Sequence, residues 1–234
     1  MRLLHPLQVA PGAFAAAFSF VAGFTDSVGF VAFGFFPAHM TGNFVLVGDA
    51  FARSSSGIAI RLIAIAGFTT AVACTVVLAH ATSTGGSGFA RQLTAIQAAI
   101  LCLFACSAAY AITAQTLEMV WPLLAAFLAA AAMGMQSAST HLIFSVPIST
   151  TAMTGNLTAL VLDATSALLR PTDRRAMNAL FHTTFIVSSF AMGALVGAFS
   201  LVWLGFCAMV IPILVLVLLA RYTIAAPTGP NPAD

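Results

Sequence analysis

The sequence predicts an all-α polytopic membrane protein made of two internally duplicated halves. We expect six long transmembrane helices and two short helices opened by Thr-Gly-Asn motifs, all within one integral membrane domain. Composition, the length of the apolar runs and a repeated phrase support this fold class. Of the 234 residues, 61% are hydrophobic and 6% are charged, and the mean hydropathy is +1.05. A soluble domain so poor in charge would have little surface to offer water, so the solvent is a bilayer.

The apolar runs favour helices over a barrel. In hydrocarbon, backbone polar groups have to be satisfied within helices or within a closed barrel. A barrel would show short segments of alternating polarity, whereas this chain shows long unbroken apolar runs. Six of these runs have about the 20 residues that a crossing needs. They cover residues 12–36, 58–80, 91–113, 119–145, 177–200 and 201–221.

Two shorter apolar segments carry the same phrase. Residues 38–53 contain Met40 followed by Thr41-Gly42-Asn43, and residues 150–169 contain Met153 followed by Thr154-Gly155-Asn156. The two phrases align at an offset of 113 residues (154 − 41). A phrase of four residues could recur by chance, so the flanking residues decide whether it marks a duplication.

The flanks of the phrase also recur. The offset of 113 pairs Arg61 with Arg174, and GFTDS (23–27) aligns with GMQSA (134–138) at an offset of 111. We therefore expect an internal duplication, which is the usual build of small-solute transporters. The predicted boundaries are an N-terminal segment at 1–11, repeat 1 at 12–113, repeat 2 at 119–221 and a disordered C-terminal tail at 222–234.

These motifs carry a resemblance to a known family. GFTDSVGF…MTGNFVLVG and GMQSAS…STTAMTGNLTAL resemble the YoaK-like bacterial integral membrane proteins, a family of unknown function whose members are described as candidate small-molecule transporters. The resemblance spans most of the chain and implies a bundle of helices in the bacterial inner membrane. The second half of the family often reads Gly-x-Gln-Asn, whereas this chain reads Gly134-Met135-Gln136-Ser137 and lacks the last amide.

The orientation of the halves depends on whether the short segments cross the membrane. The chain has no Lys, so its eight Arg residues carry the positive-inside signal. If the short segments cross, the halves are parallel, and seven arginines lie inside against one, Arg91, outside. If they dip in and return, the halves are inverted, Arg53 and Arg61 lie outside, and the score becomes six to two. Both arrangements place both termini in the cytoplasm.

The arginine count favours the parallel arrangement by a single residue, and length opposes it. The first short segment covers roughly 16 residues, or about 24 Å of helix, which is short for a hydrocarbon core of about 30 Å. Both arrangements therefore stay open at the level of sequence.

The Thr-Gly-Asn phrases are the first candidates for a solute pathway. Thr can cap a helix, Gly permits close backbone approach, and Asn both donates and accepts hydrogen bonds. Pro37 and Pro147 precede the phrases and should break the preceding helices. Helix N-termini at membrane depth suit an anion or a polar solute. Packing between helices explains the same residue types equally well, and the two roles can coexist.

Three further polar residues lie within the apolar runs. A charged carboxylate at Asp26 would cost on the order of a few kcal/mol, so we expect it to face a cavity or a partner, or to hold a proton. Proton or sodium coupling is the functional interpretation, and a bonded Asp that joins two helices is the alternative. Gln136 is a buried amide for which Asn156 is a candidate partner. His182 reads as a buried neutral His bonded to a carbonyl, with a proton relay as the alternative.

The sequence thus predicts a transporter of a small polar or anionic solute that works by alternating access between the halves. A small-solute channel is a close variant, and a non-transporting scaffold or assembly protein is the alternative from another class. The expected partners are the lipid bilayer and an unidentified solute, and homo-oligomerisation stays open. The pathway candidates are Asp26, Thr41, Gly42, Asn43, Gln136, Thr154, Gly155, Asn156 and His182.

Other functional classes find no support in the sequence. There is no Ser-His-Asp order, phosphate loop or metal-ligand cluster, so we expect no enzyme, no cofactor and no metal site. The small basic content argues against nucleic acid as a partner. The four cysteines fall in apolar segments and are expected to be small buried hydrophobes, not a disulfide framework.

Overall fold

A computed structural model describes residues 8–9, 11–82, 87–113, 119–142, 150–151, 153–221 and 223–224. Within these ranges the helices are α1 (Pro11–Phe33), α2 (Met40–Ala52), α3 (Ile58–Thr82), α4 (Ser87–Thr113), α5 (Val120–Leu142), α6 (Met153–Leu169), α7 (Arg174–Leu204) and α8 (Val210–Arg221). A 3₁₀ turn at Gly205–Met209 joins α7 to α8. Two short strands, β1 (Gln8–Val9) and β2 (Thr223–Ile224), pair in parallel.

The chain has the helices of a membrane protein. Among the described residues, five helical stretches are long and apolar enough to cross a bilayer, and the last of them, Arg174–Arg221, contains both α7 and α8. The sequence placed the boundary between these two helices after residue 200, whereas α7 continues to Leu204. The helix ends there because Gly205 adopts a φ of +56°, in the left-handed region that commonly terminates helices.

The two ends of the chain meet in the short sheet. Gln8 pairs with Thr223 and Val9 with Ile224. Two residues of the tail that the sequence predicted to be disordered, Thr223 and Ile224, are therefore paired. Residue 222 and residues 225–234 lie outside the described part of the chain.

Helices from opposite halves of the chain make the closest contacts. The backbone carbonyl of Phe20 in α1 lies against Gly193 of α7, and that of Phe24 lies against Gly197. Because both contacts have the same offset along the chain, α1 and α7 run in the same direction. A side chain at these glycines would collide with the facing carbonyls, so the two backbones are in direct contact.

The second pair of closely packed helices is α3 and α5. Gly67 of α3 lies against the carbonyl of Phe127 in α5, and Gly134 of α5 lies against the carbonyl of Phe68 in α3. Each of the two glycine-packed pairs, α1–α7 and α3–α5, therefore combines one helix from each half. These four helices surround much of the buried apolar core together with α4 and α8.

Contacts along the bundle fix the direction of α4 and α5. Gln136 near the end of α5 bonds both to Gln97 early in α4 and to the carbonyl oxygen of Phe18 in α1. At the other end of the α4–α5 pair the rings of Tyr110 and Trp121 are in contact, with centroids 4.6 Å apart. Thus α4 and α5 are antiparallel, and both pass beside the N-terminal part of α1.

Phe206 locates the opposite end of the bundle. Its ring contacts Phe33 at the end of α1 and Phe104 of α4. Because α4 passes Phe18 and later approaches the end of α1, it runs in the same direction as α1. The helix α8 starts beside Phe206 and ends next to β2, which pairs with β1 before α1, so α8 runs the opposite way. We call the end of the bundle where α1 begins the proximal face and the other end the distal face.

The first short helix does not carry the chain across the bundle. Arg61, near the start of α3, donates from Nε to the carbonyl oxygen of Gly34 at 3.2 Å and from Nη1 to that of Leu46 at 3.0 Å. Gly34 directly follows α1, so α1 ends and α3 begins at the distal face. The 13 residues of α2 lie between them on that side.

The second short helix stays at the proximal face. The start of α7 lies beside the start of α1, where Gly12 faces the His182 ring, and α5 ends near Phe18 of α1. Both short helices thus lie at one face of the bundle each, whereas the parallel arrangement that the arginine count favoured has them cross it. Arg53 and Arg61 have local partners at the distal face: Asp49 for the first, as an i,i+4 pair at 2.6 Å, and backbone carbonyls for the second.

The cysteines lie on the outside of the bundle and not within it. The expectation of buried cysteines was wrong because these positions face away from the neighbouring helices. All four are exposed and unpaired: Cys74, Cys102, Cys106 and Cys207.

Candidate functional site

The chain after α1 turns back into the bundle. The helix ends at Phe33, and Gly34 follows with a φ of +70°. The backbone N–H of Ala38 then donates to Oδ1 of Asp26 at 2.6 Å. Asp26 lies seven residues before the end of α1, which is about 10 Å along a helix axis. Residues 34–39 thus run from the distal face toward the middle of the bundle, and α2 returns to the distal face. We call residues 34–52 the first hairpin.

Asp26 and His39 form an ionisable pair at the tip of this hairpin. While Oδ1 of Asp26 accepts from the backbone, Oδ2 is bonded to Nδ1 of His39. The Asp26 side chain is 6% exposed and that of His39 is 27% exposed. The imidazole also meets the edge of the Phe190 ring of α7, at a centroid distance of 5.5 Å. The sequence predicted that Asp26 would need a partner within the membrane. In the structure its partners are Ala38 and His39 of the first hairpin.

Asn43 of α2 is hydrogen-bonded to the backbone of Phe36, on the other arm of the first hairpin. Its Oδ1 accepts from the backbone N–H of Phe36 at 2.8 Å, and its Nδ2 donates to the carbonyl oxygen of the same residue at 2.7 Å. The Asn43 side chain is fully buried, and the Phe36 ring stacks on Phe30 of α1. The amide therefore satisfies two backbone groups that no helix ladder reaches, which an apolar environment makes necessary.

The first Thr-Gly-Asn phrase acts differently from the prediction. We expected Thr41 to cap the short helix, but α2 begins at Met40 and His39 occupies the cap position. The His39 side chain makes no capping bond because it turns to Asp26. Thr41 is exposed on the outside, and Gly42 packs against the Phe36 ring. Of the three residues of the phrase, Asn43 is the one whose side-chain hydrogen bonds to the backbone stabilise the first hairpin.

The second hairpin, which comprises residues 150–169, docks on α5 in a similar way. Nε2 of Gln136 donates to Oγ1 of Thr150 at 3.3 Å, and Oγ1 of Thr151 donates to Oγ of Ser137 at 3.4 Å. In the repeat alignment Ser137 stands where the first half has Asp26. The two tips thus contact corresponding positions, with a carboxylate in the first half and a hydroxyl in the second. Pro147, which was expected to end α5, lies outside the described residues.

Gln136 joins the second hairpin to three helices. Its Oε1 accepts from Nε2 of Gln97 in α4 at 2.7 Å, and its own Nε2 donates to the carbonyl oxygen of Phe18 in α1 at 2.9 Å. The predicted partner, Asn156, is not among its contacts. The buried Asn156 amide instead lies 3.7 Å from the sulfur of Met153, within α6.

The remaining pathway candidates lie on the outside of the bundle. These are Thr41, Thr154, Gly155 and His182, all of them exposed. The tip clusters are also separated along the bundle. Gln136 lies at the level of Phe18, eight residues before Asp26 in α1, or about 12 Å along the axis. The Asn43 amide bonds within its own hairpin.

Several polar contacts were not foreseen from the sequence. Gln97 is an amide within an apolar helix, which is the same signal that identified Gln136, so the sequence could have identified it. Thr150 and Thr151 gave no such signal, because Thr is common in membrane helices. Oδ2 of Asp163 accepts from the hydroxyl of Thr183 at 2.7 Å and ties α6 to α7. Within the described ranges, no three His, Cys, Asp or Glu side chains are placed to hold a metal ion.

The chain belongs to DUF1275, a family of proteins of unknown function, whose family model matches residues 14–222. This match includes both hairpins, and the YoaK-like resemblance of the motifs is consistent with it. No curated protein and no solved structure matches the chain.

Proposed function

We propose that this protein is a secondary transporter of a small polar or anionic solute in the bacterial inner membrane. The observation that carries the proposal is the pair of hairpins whose tips enter the bundle from opposite faces, at Ala38–His39 and at Thr150–Thr151. Non-helical backbone and helix N-termini at membrane depth are the features with which transporters hold polar solutes near the midplane. The positive end of the helix dipole at the start of α2 would favour an anion.

The proposed topology has six crossings, three in each half. They are α1, α3 and α4, followed by α5, α7 and α8. In the repeat alignment α1 corresponds to α5 and α3 to α7, so the close pair α1–α7 corresponds to the close pair α5–α3. This exchange supports an internal duplication. Because α1 and α5 run in opposite directions, the proposed halves are inverted, as in many transporters.

The arginines orient the bundle. The proximal face has more of them, so the positive-inside rule places this face and both termini in the cytoplasm. Among the described residues, Arg91, Arg170, Arg174, Arg175 and Arg221 lie toward the proximal face, and Arg53 and Arg61 lie toward the distal face.

In our proposal alternating access does not separate the two halves from each other. Both glycine-packed pairs, α1–α7 and α3–α5, join a helix of one half to a helix of the other. In our proposal these mixed pairs are the bodies that move, and the hairpins close the site from the two sides.

The test is solute uptake by the purified full-length chain in lipid vesicles. A panel of inorganic phosphate, small carboxylates, amino acids and sugars should contain at least one solute that accumulates. Replacing the buried carboxylate by Asp26→Asn should lower that uptake by about tenfold or more, equivalent to about 1.4 kcal/mol. The matched control is Asp49→Asn, because Asp49 is exposed at the far end of α2.

A non-transporting membrane scaffold is the second candidate. The observation that favours it is that Asn43 and Gln136 use their hydrogen bonds for packing within the bundle. If no solute of the panel accumulates in vesicles or shifts the thermal unfolding of the wild-type chain, the scaffold is the better account.

A further inference from the structure

The two hairpin tips are held by different chemistry. The first tip is bound through the Asp26 carboxylate, which contacts the Ala38 N–H and the His39 imidazole. The second tip is bound through hydroxyls and the Gln136 amide. Carboxylic acids and imidazoles change charge within the accessible pH range, whereas hydroxyls and amides do not. The two otherwise similar hairpins therefore differ in their response to protons.

The geometry shows where a proton would reside. Oδ1 of Asp26 accepts a backbone N–H, so Oδ2 and the facing Nδ1 of His39 are the atoms between which a proton is shared. With that proton the pair has no net charge, without it the pair carries one negative charge, and with one more proton it carries one positive charge. A net charge is costly in an apolar bundle, so the neutral pair is the resting state.

No third ionisable side chain in the described ranges is bonded to the Asp26–His39 pair. Its own helix α1 provides only Asp26, and α7 presents the apolar ring of Phe190 to the imidazole. The charged residues of α2, Asp49 and Arg53, bind each other at its far end. Arg61 of α3 is bonded to the backbone carbonyls at the distal end of the hairpin. No other ionisable side chain in the described ranges makes an ion pair with either member.

His39 is the more exposed member of the pair. Of its side chain 27% is exposed, against 6% for Asp26. In our proposal the imidazole is therefore the part of the pair that an incoming proton meets first.

From this asymmetry we propose that the Asp26–His39 pair is a proton-binding site that latches the first hairpin. Uptake of one further proton at Asp26 leaves a neutral carboxylic acid beside a cationic imidazole. The attraction between the charges is then lost, and the Ala38 N–H faces a weaker acceptor. Acidification therefore loosens the first hairpin and leaves the second unchanged. A role of this proton as the coupling ion rests on the proposed transport function, whereas the latch itself does not.

Protonation of Asp26 can be measured directly by infrared difference spectroscopy of the full-length chain in lipid during acid titration. A carboxylic acid band should appear with the wild type, be absent from Asp26→Asn and titrate at a different pH in His39→Gln. Asp49→Asn and Asp163→Asn serve as matched controls and should keep it. The absence of any band that depends on Asp26 down to the lowest pH at which the chain stays folded would overturn the proposal.

Amide hydrogen exchange tests the latch itself and requires no variant. After correction for the intrinsic pH dependence of exchange, residues 34–43 should exchange about tenfold faster on acidification by a few pH units. Residues 153–160 of the second hairpin should be unaffected and provide the internal control. Equal responses of the two segments, or none in either, would contradict a proton latch at Asp26.

The two proposals can fail separately. If the infrared band and the exchange difference depend on Asp26 while vesicles take up no solute, the latch stands and transport is refuted. If solute uptake is observed without an Asp26 band, transport stands and the latch is refuted.

Discussion

Asn43 shows what the repeated phrase contributes at the level of a single residue. A single amide can donate to the carbonyl and accept from the N–H of the same residue, here Phe36. The backbone between α1 and α2 can therefore leave the helical pattern inside an apolar bundle without losing hydrogen bonds.

Replacing Asn43 by Leu should destabilise the folded bundle. The apolar side chain has a similar size but leaves the N–H and carbonyl of Phe36 unpaired, at a cost of about 1–3 kcal/mol for each group. The free energy of unfolding in mixed detergent micelles measures this effect. Asn178→Leu is the control, since Asn178 is exposed on α7 and its replacement should change stability by about 0.5 kcal/mol or less. Equal stability of the two variants would show that the Asn43 bonds contribute nothing.

The sequence identified the polar residues of the site better than their partners. Asp26, Asn43 and Gln136 stand out because a polar group within an apolar run has to be satisfied. Their partners are backbone groups and side chains brought together by the path of the hairpins, which no local pattern encodes. For the same reason the sequence wrongly assigned Thr41 a capping role. In the structure His39 occupies the cap position, and its side chain bonds to Asp26 and makes no capping bond.

At the scale of helices, direct backbone contact holds the two halves together. The stretch of α1 around Phe20 packs so closely on α7 that Gly193 has no room for a side chain. Small residues are the usual means by which membrane helices approach, since lipid gives apolar side chains no reason to leave it. These contacts explain why α1 pairs with α7 and not with its neighbour along the chain.

Gly193→Ala should force α1 and α7 apart. The added Cβ would collide with the Phe20 carbonyl, and overpacking of this kind costs about 1–3 kcal/mol. Gly48→Ala is the control, because no atom outside its own helix lies within 4 Å of the added Cβ. In that exposed position Ala should be neutral or stabilising by up to about 1 kcal/mol. A Gly193→Ala variant as stable in micelles as Gly48→Ala would contradict the close packing.

Helix boundaries followed from the sequence because apolar runs and helix-ending residues are local signals. The predicted crossing at 58–80 corresponds to α3 at Ile58–Thr82, and the short segment at 150–169 contains α6 at Met153–Leu169. The path of the short helices could not be obtained in this way, since it depends on where Arg61 finds its acceptors. An arginine count treats that residue as a solvated charge, although its guanidinium is bonded within the protein.

At the scale of the whole molecule, the inverted arrangement that we propose makes a topological prediction. Single cysteines placed at Ser55 and Ser87 in a cysteine-free background should label from opposite sides of the membrane, with residue 55 external and residue 87 cytoplasmic. The physical reason is that α2 returns to the distal face, so that α3 is the second crossing of the chain and brings residue 87 back inside. Impermeant thiol reagents applied to intact cells measure this directly. A cysteine at Thr172, between α6 and α7, should react only after the cells are opened. The reverse pattern at residues 55 and 87 would mean that the short helices cross, and the proposed meeting of two hairpins from opposite faces would then be wrong.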